Sequence, residues 1–338
     1  MCPLLSVRNV KVQYPVRQAR NWPWQPTPML TAVNDISFDL YPGEVLTIVG
    51  ESGCGKSSLA HALIGLTQVT SGQILFANKD LVGLTEQGLR KIRRDIQMVF
   101  QDPLASLNPR MTVGEIIAEP LRNYESSLSK EQVRQRVGEM LENVRLSHNI
   151  INRYPHELSG GQCQRTGIAR ALVLKPKLVI CDEPVSALDV SIQAQVVNLL
   201  KELQRELNLA LIFITHDLAI AKQISDRIMV MYLGHQMEMA KTDLLYTTPT
   251  HPYTQTLLSA VLNPDPHIER GRTIKLLEDD LPNPLKVPSG CVFRTRCPLA
   301  GVDCTVQKPS LVGTTTHQVA CLKTNVLTNS TMTTLVKN

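Results

Sequence analysis

The residues with the clearest chemical potential form one glycine-rich run, Gly50-Glu-Ser-Gly-Cys-Gly-Lys-Ser-Ser58, which fits the pattern G-x-x-x-x-G-K-[ST]. An apolar strand pattern at 45–49 precedes the run, and a helical pattern at 58–66 follows it. In this context glycines let backbone N–H groups point at phosphate oxygens beside a helix N-terminus. The run therefore predicts a nucleotide phosphate site, with Lys56 reaching the β- and γ-phosphates and the Ser57 hydroxyl binding Mg²⁺.

A second run, Leu178-Val-Ile-Cys-Asp-Glu183, supplies the acidic partners that such a site needs. Its apolar residues predict a buried strand, which would deliver Asp182 to the Mg²⁺ and place Glu183 beside the γ-phosphate. A carboxylate in that position can polarise an attacking water, and positioning of this kind dominates phosphoryl transfer. A strand that ends in Asp-Glu is common by itself, so its meaning here depends on the glycine-rich run.

Strands alternating with helices must position these groups. Alternating apolar and polar residues predict strands within 4–14 and 32–49, and shorter apolar runs predict strands at 96–100, 178–181 and 211–215. The stretch 103–165 is mainly helical in pattern. This order indicates an α/β fold with a parallel sheet.

Composition sets the remaining limits. A chain of 338 residues with 43% apolar and 19% charged residues is globular and long enough for two domains. The net charge of +5 is mild, and 4% aromatic residues are too few for a protein that stacks nucleic-acid bases, so we expect no nucleic-acid partner. We find neither a signal-peptide pattern nor an apolar run of membrane-spanning length, and expect a cytosolic chain whose membrane role comes through partners.

Further segments carry a resemblance to a known family. They are Val99-Phe-Gln101, Leu158-Ser-Gly-Gly-Gln162, Ser186-Ala-Leu-Asp189 and Ile214-Thr-His-Asp217. With the two runs above, their order and spacing resemble the nucleotide-binding subunits of ATP-binding cassette (ABC) transporters, over about residues 4–255. The resemblance implies a P-loop ABC ATPase with a RecA-like parallel-sheet core, an N-terminal antiparallel β subdomain and a helical signature subdomain at about 103–165.

The resemblance also implies roles for single residues. Glu183, His216 and Lys56 would be catalytic, and Mg²⁺ would be bound by Ser57, Gln101 and Asp182. The signature residues would cap the ATP of a facing subunit, and the D-loop residue Asp189 would couple the two sites. The signature comprises Ser159, Gly160, Gly161 and Gln162. The residues expected to bind ATP are Tyr14, Gly50, Ser52, Gly53, Cys54, Gly55, Lys56, Ser57, Ser58 and Gln101.

The adenine platform has two candidates. Tyr14 lies where the family places its stacking aromatic residue, and we favour it. The proline-rich loop that follows brings Trp22 and Trp24 close in sequence, and we expect these to pack the loop or contact a neighbour.

Finer motifs point to one branch of the family. The runs that begin at Gln101 and His251 resemble the peptide and nickel importers, and those at 160–165, 180–199 and 291–298 resemble the F-type ATPase subunits of bacterial oligopeptide permeases. This implies ATP-driven oligopeptide uptake at the cytoplasmic face of the inner membrane. The implied partners are a D-type ATPase, two permease subunits and an extracytoplasmic peptide-binding protein. Dipeptide, murein-peptide or nickel import, and a non-transport ABC ATPase, remain alternatives.

A cysteine cluster marks the last part of the chain, which we assign as a C-terminal extension at 256–338 after a nucleotide-binding domain at 1–255. Its spacing, C-x₅-C-x₆-C-x₁₆-C, matches neither the paired zinc pattern nor the ferredoxin pattern. Four thiolates suit tetrahedral Zn²⁺ or a [4Fe–4S] cluster, and free structural thiols stay possible. The family resemblance favours [4Fe–4S] on Cys291, Cys297, Cys304 and Cys321.

Overall fold

The computed structural model describes residues 2–16, 27–261 and 282–323. Its centre is a sheet in which five neighbouring strands run parallel, as the alternation of strands and helices predicts. In spatial order these strands are β6 (Ile96–Val99), β7 (Leu178–Asp182), β8 (Ala210–Thr215), β3 (Val45–Val49) and β9 (Arg227–Tyr232).

The other edge of the same sheet is antiparallel, so the sheet is mixed rather than parallel throughout. A tight hairpin joins β9 to β10 (His235–Lys241), and residues from the C-terminal segment then add β12 (His317–Val319) and β11 (Val312–Gly313). The described part of the proposed extension thus continues the main sheet, while the division at residue 255 stays a prediction.

A second, antiparallel sheet covers one face of the core, as expected for the N-terminal subdomain. Its strands, in spatial order, are β2 (Met29–Leu40), β1 (Leu5–Pro15), β4 (Ser71–Phe76) and β5 (Lys79–Asp80). Alternate residues of β1, such as Val10 and Val12, are fully buried and meet apolar residues of β3 and of α1 (Lys56–Leu63). The antiparallel sheet therefore packs against β3 and α1, the strand and the helix that flank the glycine-rich loop.

Helices cover the remaining faces. Between β6 and β7 lie α3 (Val113–Tyr124), α4 (Lys130–Asn143) and α5 (Gly160–Leu172), which supply the helical region predicted at 103–165. Each begins at a Ser or Thr whose side chain and a Glu or Gln three residues later cap the helix reciprocally. The other helices are α2 (Glu86–Arg93), α6 (Val190–Glu206), α7 (Leu218–Ile224), α8 (Thr242–Thr247), α9 (Pro252–Ser259) and α10 (Asp303–Val306).

The helix after the glycine-rich loop is displaced from its predicted bounds. The pattern predicts 58–66, whereas α1 begins at Lys56 and ends at Leu63. Gly65 explains the earlier end, because its φ of 67° is a left-handed conformation that terminates α-helices.

An aromatic cluster fastens the C-terminal segment to the core. The fully buried ring of Phe293 lies 5.3 Å from the ring of Tyr232 on β9 and 5.2 Å from that of Tyr253 on α9, with tilted or edge-on geometry. Cys291 and Cys304 pack against the same apolar cluster. The described cysteine-bearing segment is therefore part of a core shared with the main sheet.

Candidate nucleotide-binding site

The glycine-rich loop connects the central strand β3 to α1. All five residues of β3 are buried, and the loop leaves the strand between β8 and β9. Gly55 caps α1 at φ 105°, and a Cβ atom there would lie 2.0 Å from the backbone oxygen of Ala32. The backbone thus requires glycine at this position for two reasons, its dihedral angle and its packing against β2.

Lys56 lies under the loop with only 4% of its side chain exposed. Its Nζ donates to the backbone oxygens of Gly50 at 2.9 Å and Glu51 at 3.0 Å, and lies 3.9 Å from Glu183 Oε1. These partners hold the ammonium group at the centre of the loop, where an incoming phosphate would meet it.

Asp182 and Ser57 meet across 125 residues of sequence. The Ser57 hydroxyl donates to Asp182 Oδ1 at 3.1 Å, because α1 and β7 both direct these residues to the same edge of the sheet. Burial raises the pKa of the Asp182 carboxyl, against the opposing effect of that hydrogen bond. A hydroxyl and a carboxylate in contact are oxygen ligands of the kind that Mg²⁺ prefers, so the pair fits the predicted ion.

Glu183 is the point on which the predicted catalytic residues converge. Gln101 Nε2 donates to its Oε2 at 3.1 Å, and His216 Nδ1 lies 3.5 Å from the same oxygen. The parallel pairing of β7 with β8 sets the last distance, since Asp182 is the register partner of Ile214. Of these side chains Glu183 is largely buried, whereas His216 is 59% exposed.

The backbone at Glu183 is itself unusual. Its φ of 44° is left-handed, and its N–H donates to the Ile214 backbone oxygen at 3.1 Å. A non-glycine residue in this region costs on the order of 1–3 kcal/mol and persists where the surroundings impose it. This backbone conformation directs the Glu183 carboxylate toward Lys56 of the glycine-rich loop.

A cavity of about 250 Å³ opens beside the loop. Tyr14 lines it, and the Tyr14 hydroxyl lies 3.4 Å from Thr67 Oγ1, which orients the ring. Trp22 and Trp24 lie outside the described residues. The other lining residues that were predicted to bind ATP are Ser52, Gly53, Gly55, Lys56, Ser57, Ser58 and Gln101, and the predicted catalytic residue Glu183 lines the cavity as well.

Two of the ATP-binding predictions fall outside that lining. Gly50 is enclosed, since a Cβ there would lie 2.2 Å from the Met231 backbone oxygen, and the Cys54 side chain is buried under the loop. Burial raises the pKa of the Cys54 thiol. Both residues shape the loop from behind, and only their backbone faces the phosphate side.

The signature residues stand apart from this cavity. Ser159 caps α5, and its hydroxyl accepts from the Gln162 backbone N–H at 3.3 Å while the Gln162 side chain accepts from Ser159 N–H at 3.0 Å. A Cβ on Gly160 would lie 3.3 Å from Leu188 Cδ2, and one on Gly161 would lie 2.8 Å from Ile192 Cγ2 on α6, so both glycines pack closely against this part of the chain. Among the residues that line the cavity, none belongs to 159–162. Asp189, exposed at the start of α6, lies on this separate surface too.

Sequence reasoning missed a set of residues behind the loop. Arg296 Nη1 lies 3.0 Å from both carboxylate oxygens of Glu51, and the Glu51 backbone N–H donates to the Tyr253 hydroxyl at 3.1 Å. Pro284 and Val287 also line the cavity. The family motifs do not indicate these contacts, because the contacts join positions more than 200 residues apart in the sequence.

Three of the four clustered cysteines are influenced electrostatically by other thiols of the set. Burial raises the pKa values of Cys291 and Cys321 and raises that of Cys297 to about 11, and in each case the other thiols of the set add to the increase. Within residues 2–16, 27–261 and 282–323, no group of three or more His, Cys, Asp or Glu side chains is arranged to hold a metal ion.

Comparisons with known proteins agree with this geometry. The family model described as "ABC transporter" matches residues 33–186, and the model "Oligopeptide/dipeptide transporter, C-terminal region" matches 237–304. The oligopeptide transport ATP-binding protein OppF of Salmonella typhimurium is 59% identical over 96% of this chain and 97% of its own. This chain belongs to the ATP-binding subunits of ABC transporters. The oligopeptide transport ATP-binding protein OppF of Haemophilus influenzae is 56% identical over 95% of this chain and 97% of its own.

Solved structures of ABC subunits support the same assignment. A dimeric ATP-binding cassette solved in a post-hydrolysis state with ADP and phosphate superposes with a TM-score of 0.63 at 31% identity, covering 70% of this chain and 98% of that one. CbiO1 of Clostridium perfringens, part of an ABC transporter complex, gives 0.62 at 29% identity over 73% and 91%. As an ABC subunit the chain is an ATPase coupled to transport, for which ATP and Mg²⁺ are expected, and permease subunits are its partners. No helix in the described residues is long and apolar enough to cross a membrane.

Proposed function

We propose that this chain hydrolyses ATP to drive oligopeptide uptake through a heteromeric ABC importer. The observation that carries the proposal is the convergence of Lys56, Gln101 and His216 on Glu183, beside the Ser57–Asp182 pair. Relatives that match over nearly their full length are named oligopeptide transport ATP-binding proteins, which favours oligopeptides over the alternatives.

The loop and its lysine bind the phosphates in this proposal. Backbone N–H groups from 50–58 and the N-terminus of α1 face the phosphate oxygens, and Lys56 exchanges its two loop carbonyls for the β- and γ-phosphates. Tyr14 stacks on the adenine. Ser57, Gln101 and Asp182 would hold Mg²⁺, which supplies positive charge to the phosphate oxygens when bound.

Glu183 orients the attacking water and accepts its proton. The water oxygen then bonds to the γ-phosphorus as the bond to the ADP oxygen breaks. His216, exposed and 3.5 Å from Glu183, is placed to donate to the γ-phosphate. Stabilisation of the developing phosphate charge by Lys56, together with the charge that bound Mg²⁺ would supply, accounts for most of the rate enhancement in this proposal.

A facing subunit completes each site. Since Ser159, Gly160, Gly161 and Gln162 lie away from their own chain's cavity, we assign them to the ATP bound by a partner ATPase, with Asp189 coupling the two sites. The partner is a D-type ATPase, and two permeases and an extracytoplasmic peptide-binding protein complete an importer at the inner membrane. This chain would lie on the cytoplasmic face.

We also propose a [4Fe–4S] cluster on Cys291, Cys297, Cys304 and Cys321, with Zn²⁺ as the alternative. The donor set supports it, because four thiols lie within 31 residues of sequence and neighbouring thiols of the set help to raise the pKa values of Cys291 and Cys297. Anaerobic purification with iron, sulfide and zinc assays tests this, with Cys297→Ser and the exposed Cys2→Ser as a matched pair.

Reconstitution tests the transport function. The chain, its partner ATPase, the permeases and the binding protein are placed in liposomes, and ATP hydrolysis and labelled peptide uptake are followed together. We expect hydrolysis stimulated by oligopeptide-loaded binding protein, and uptake only with ATP. Stimulation by nickel or dipeptides but not by oligopeptides would contradict the substrate assignment.

A further inference from the structure

Glu51, the second residue of the glycine-rich loop, is held at three points. Its backbone N–H donates to the Tyr253 hydroxyl at 3.1 Å, and its backbone oxygen accepts from Lys56 Nζ at 3.0 Å. Its carboxylate receives Arg296 Nη1, which lies 3.0 Å from each oxygen. The residue that fixes one end of the phosphate loop is therefore bound to α9 and to the C-terminal segment.

The Arg296–Glu51 pair is a largely buried ion pair rather than a surface one. Arg296 is 6% exposed and Glu51 is 21% exposed, so water screens the pair weakly. The guanidinium carbon also lies 5.9 Å from the centre of the Tyr232 ring. Removal of one partner from a largely buried ion pair costs far more stability than removal of one partner from an exposed pair, because the remaining charge is left buried and uncompensated.

The segment that carries Arg296 is itself fixed to the core from both sides. Phe293, three residues earlier, is enclosed by the aromatic cluster, and Cys297 follows directly in the chain. Further along, His317 Nε2 lies 2.6 Å from Glu238 Oε1, and Glu238 is wholly buried on β10. The guanidinium position is thus set by the fold of the cysteine-bearing segment.

We infer that Arg296 is a positioning residue that holds Glu51, and through it Lys56 and the phosphate loop, in their ATP-binding arrangement. The inference rests on the proposed function for the identity of the ligand. It gives the cysteine-bearing segment a direct route to ATP binding, because a change in that segment moves Arg296 and releases the loop.

Equilibrium binding of ATP to the purified full-length chain tests the inference. We expect Arg296→Gln and Glu51→Gln each to weaken ATP binding about tenfold, within the range for contacting residues of one network. The double variant should be no weaker than either single variant. Arg296→Lys should restore part of the affinity, and Arg294→Gln, whose side chain hydrogen-bonds to Ser289, should bind as the wild type does.

The same variants in the assembled importer separate positioning from general stability. A positioning role raises the KM for ATP with a smaller change in kcat, whereas a structural role lowers the active fraction and leaves KM unchanged. If Arg296→Gln fails to fold, Glu51→Gln breaks the same pair while the C-terminal sequence stays intact. Normal ATP affinity in Glu51→Gln, or additive losses in the double variant, would overturn the inference. A wild-type chain that binds no ATP would instead refute the proposed function.

Discussion

Two glycines of the phosphate loop should respond very differently to the same added methyl group. Gly53 and Gly55 have φ values of 78° and 105°, so alanine at either position is strained. A Cβ on Gly53 would meet nothing within 4 Å, whereas one on Gly55 would lie 2.0 Å from the Ala32 backbone oxygen. Gly53→Ala is thus a matched control for Gly55→Ala.

The expected losses of unfolding free energy follow from the dihedral strain and from the contact with β2. The left-handed backbone costs an alanine about 1–2 kcal/mol at either site. At Gly55 the displaced strand β2 adds roughly 1–3 kcal/mol, typical of overpacking against neighbours that cannot move freely. We therefore expect Gly53→Ala to lower the free energy of unfolding by about 1–2 kcal/mol and Gly55→Ala by about 2–5 kcal/mol.

Urea unfolding of the purified chain measures the difference, and ATP binding shows its consequence. Because Gly55 directly precedes Lys56, displacement of the loop in Gly55→Ala should also weaken ATP binding. Equal losses of stability in the two variants would refute the reasoning, since they share the dihedral strain and differ in the contact with β2.

The remaining predictions concern stability outside the phosphate loop. Burial lowers the pKa of His251 to about 4, so the unfolded chain takes up the proton first and stability falls as pH drops from about 6.5 toward 4. His251→Asn offers an amide oxygen in place of the Nδ1 that accepts from the Tyr253 N–H. This variant should remove about 2 kcal/mol of the loss between pH 7 and pH 5 in urea unfolding, and an unchanged pH dependence would contradict this. Phe293→Ala should lower the free energy of unfolding by about 3–5 kcal/mol in the same assay. Val302→Ala, at a position 84% exposed, should leave it nearly unchanged. Similar losses in the two variants would contradict the assignment of the aromatic cluster to the core.

Local sequence patterns predict much of the phosphate site. The glycine-rich run, β3 and α1 are contiguous, so one pattern contains the turn, the helix N-terminus and Lys56. The buried strands are predicted for the same reason, because short apolar runs that alternate with helical stretches indicate a parallel sheet. The meeting of Ser57 with Asp182 then follows from parallel strands that end at one edge.

The contacts behind the loop could not be predicted in the same way. The Arg296–Glu51 pair joins residues 245 positions apart, and neither residue type has a local pattern that indicates a partner. The C-terminal segment is predicted as a separate unit because a stretch rich in proline and aspartate opens it and four cysteines cluster within it. Its placement at the edge of the main sheet depends on β10, whose hairpin with β9 exposes an edge that β12 can pair with.

The central claim is that Glu183 activates water for ATP hydrolysis, and Glu183→Gln tests it most directly. Phosphate release and ATP binding are measured on the purified full-length chain, so that every site formed carries the substitution, with the exposed Glu139→Gln as control. We expect Glu183→Gln to bind ATP about as tightly as the wild type and to hydrolyse it about 100-fold or more slowly, because a general base usually contributes at least that factor. Undiminished hydrolysis in Glu183→Gln would contradict the central claim.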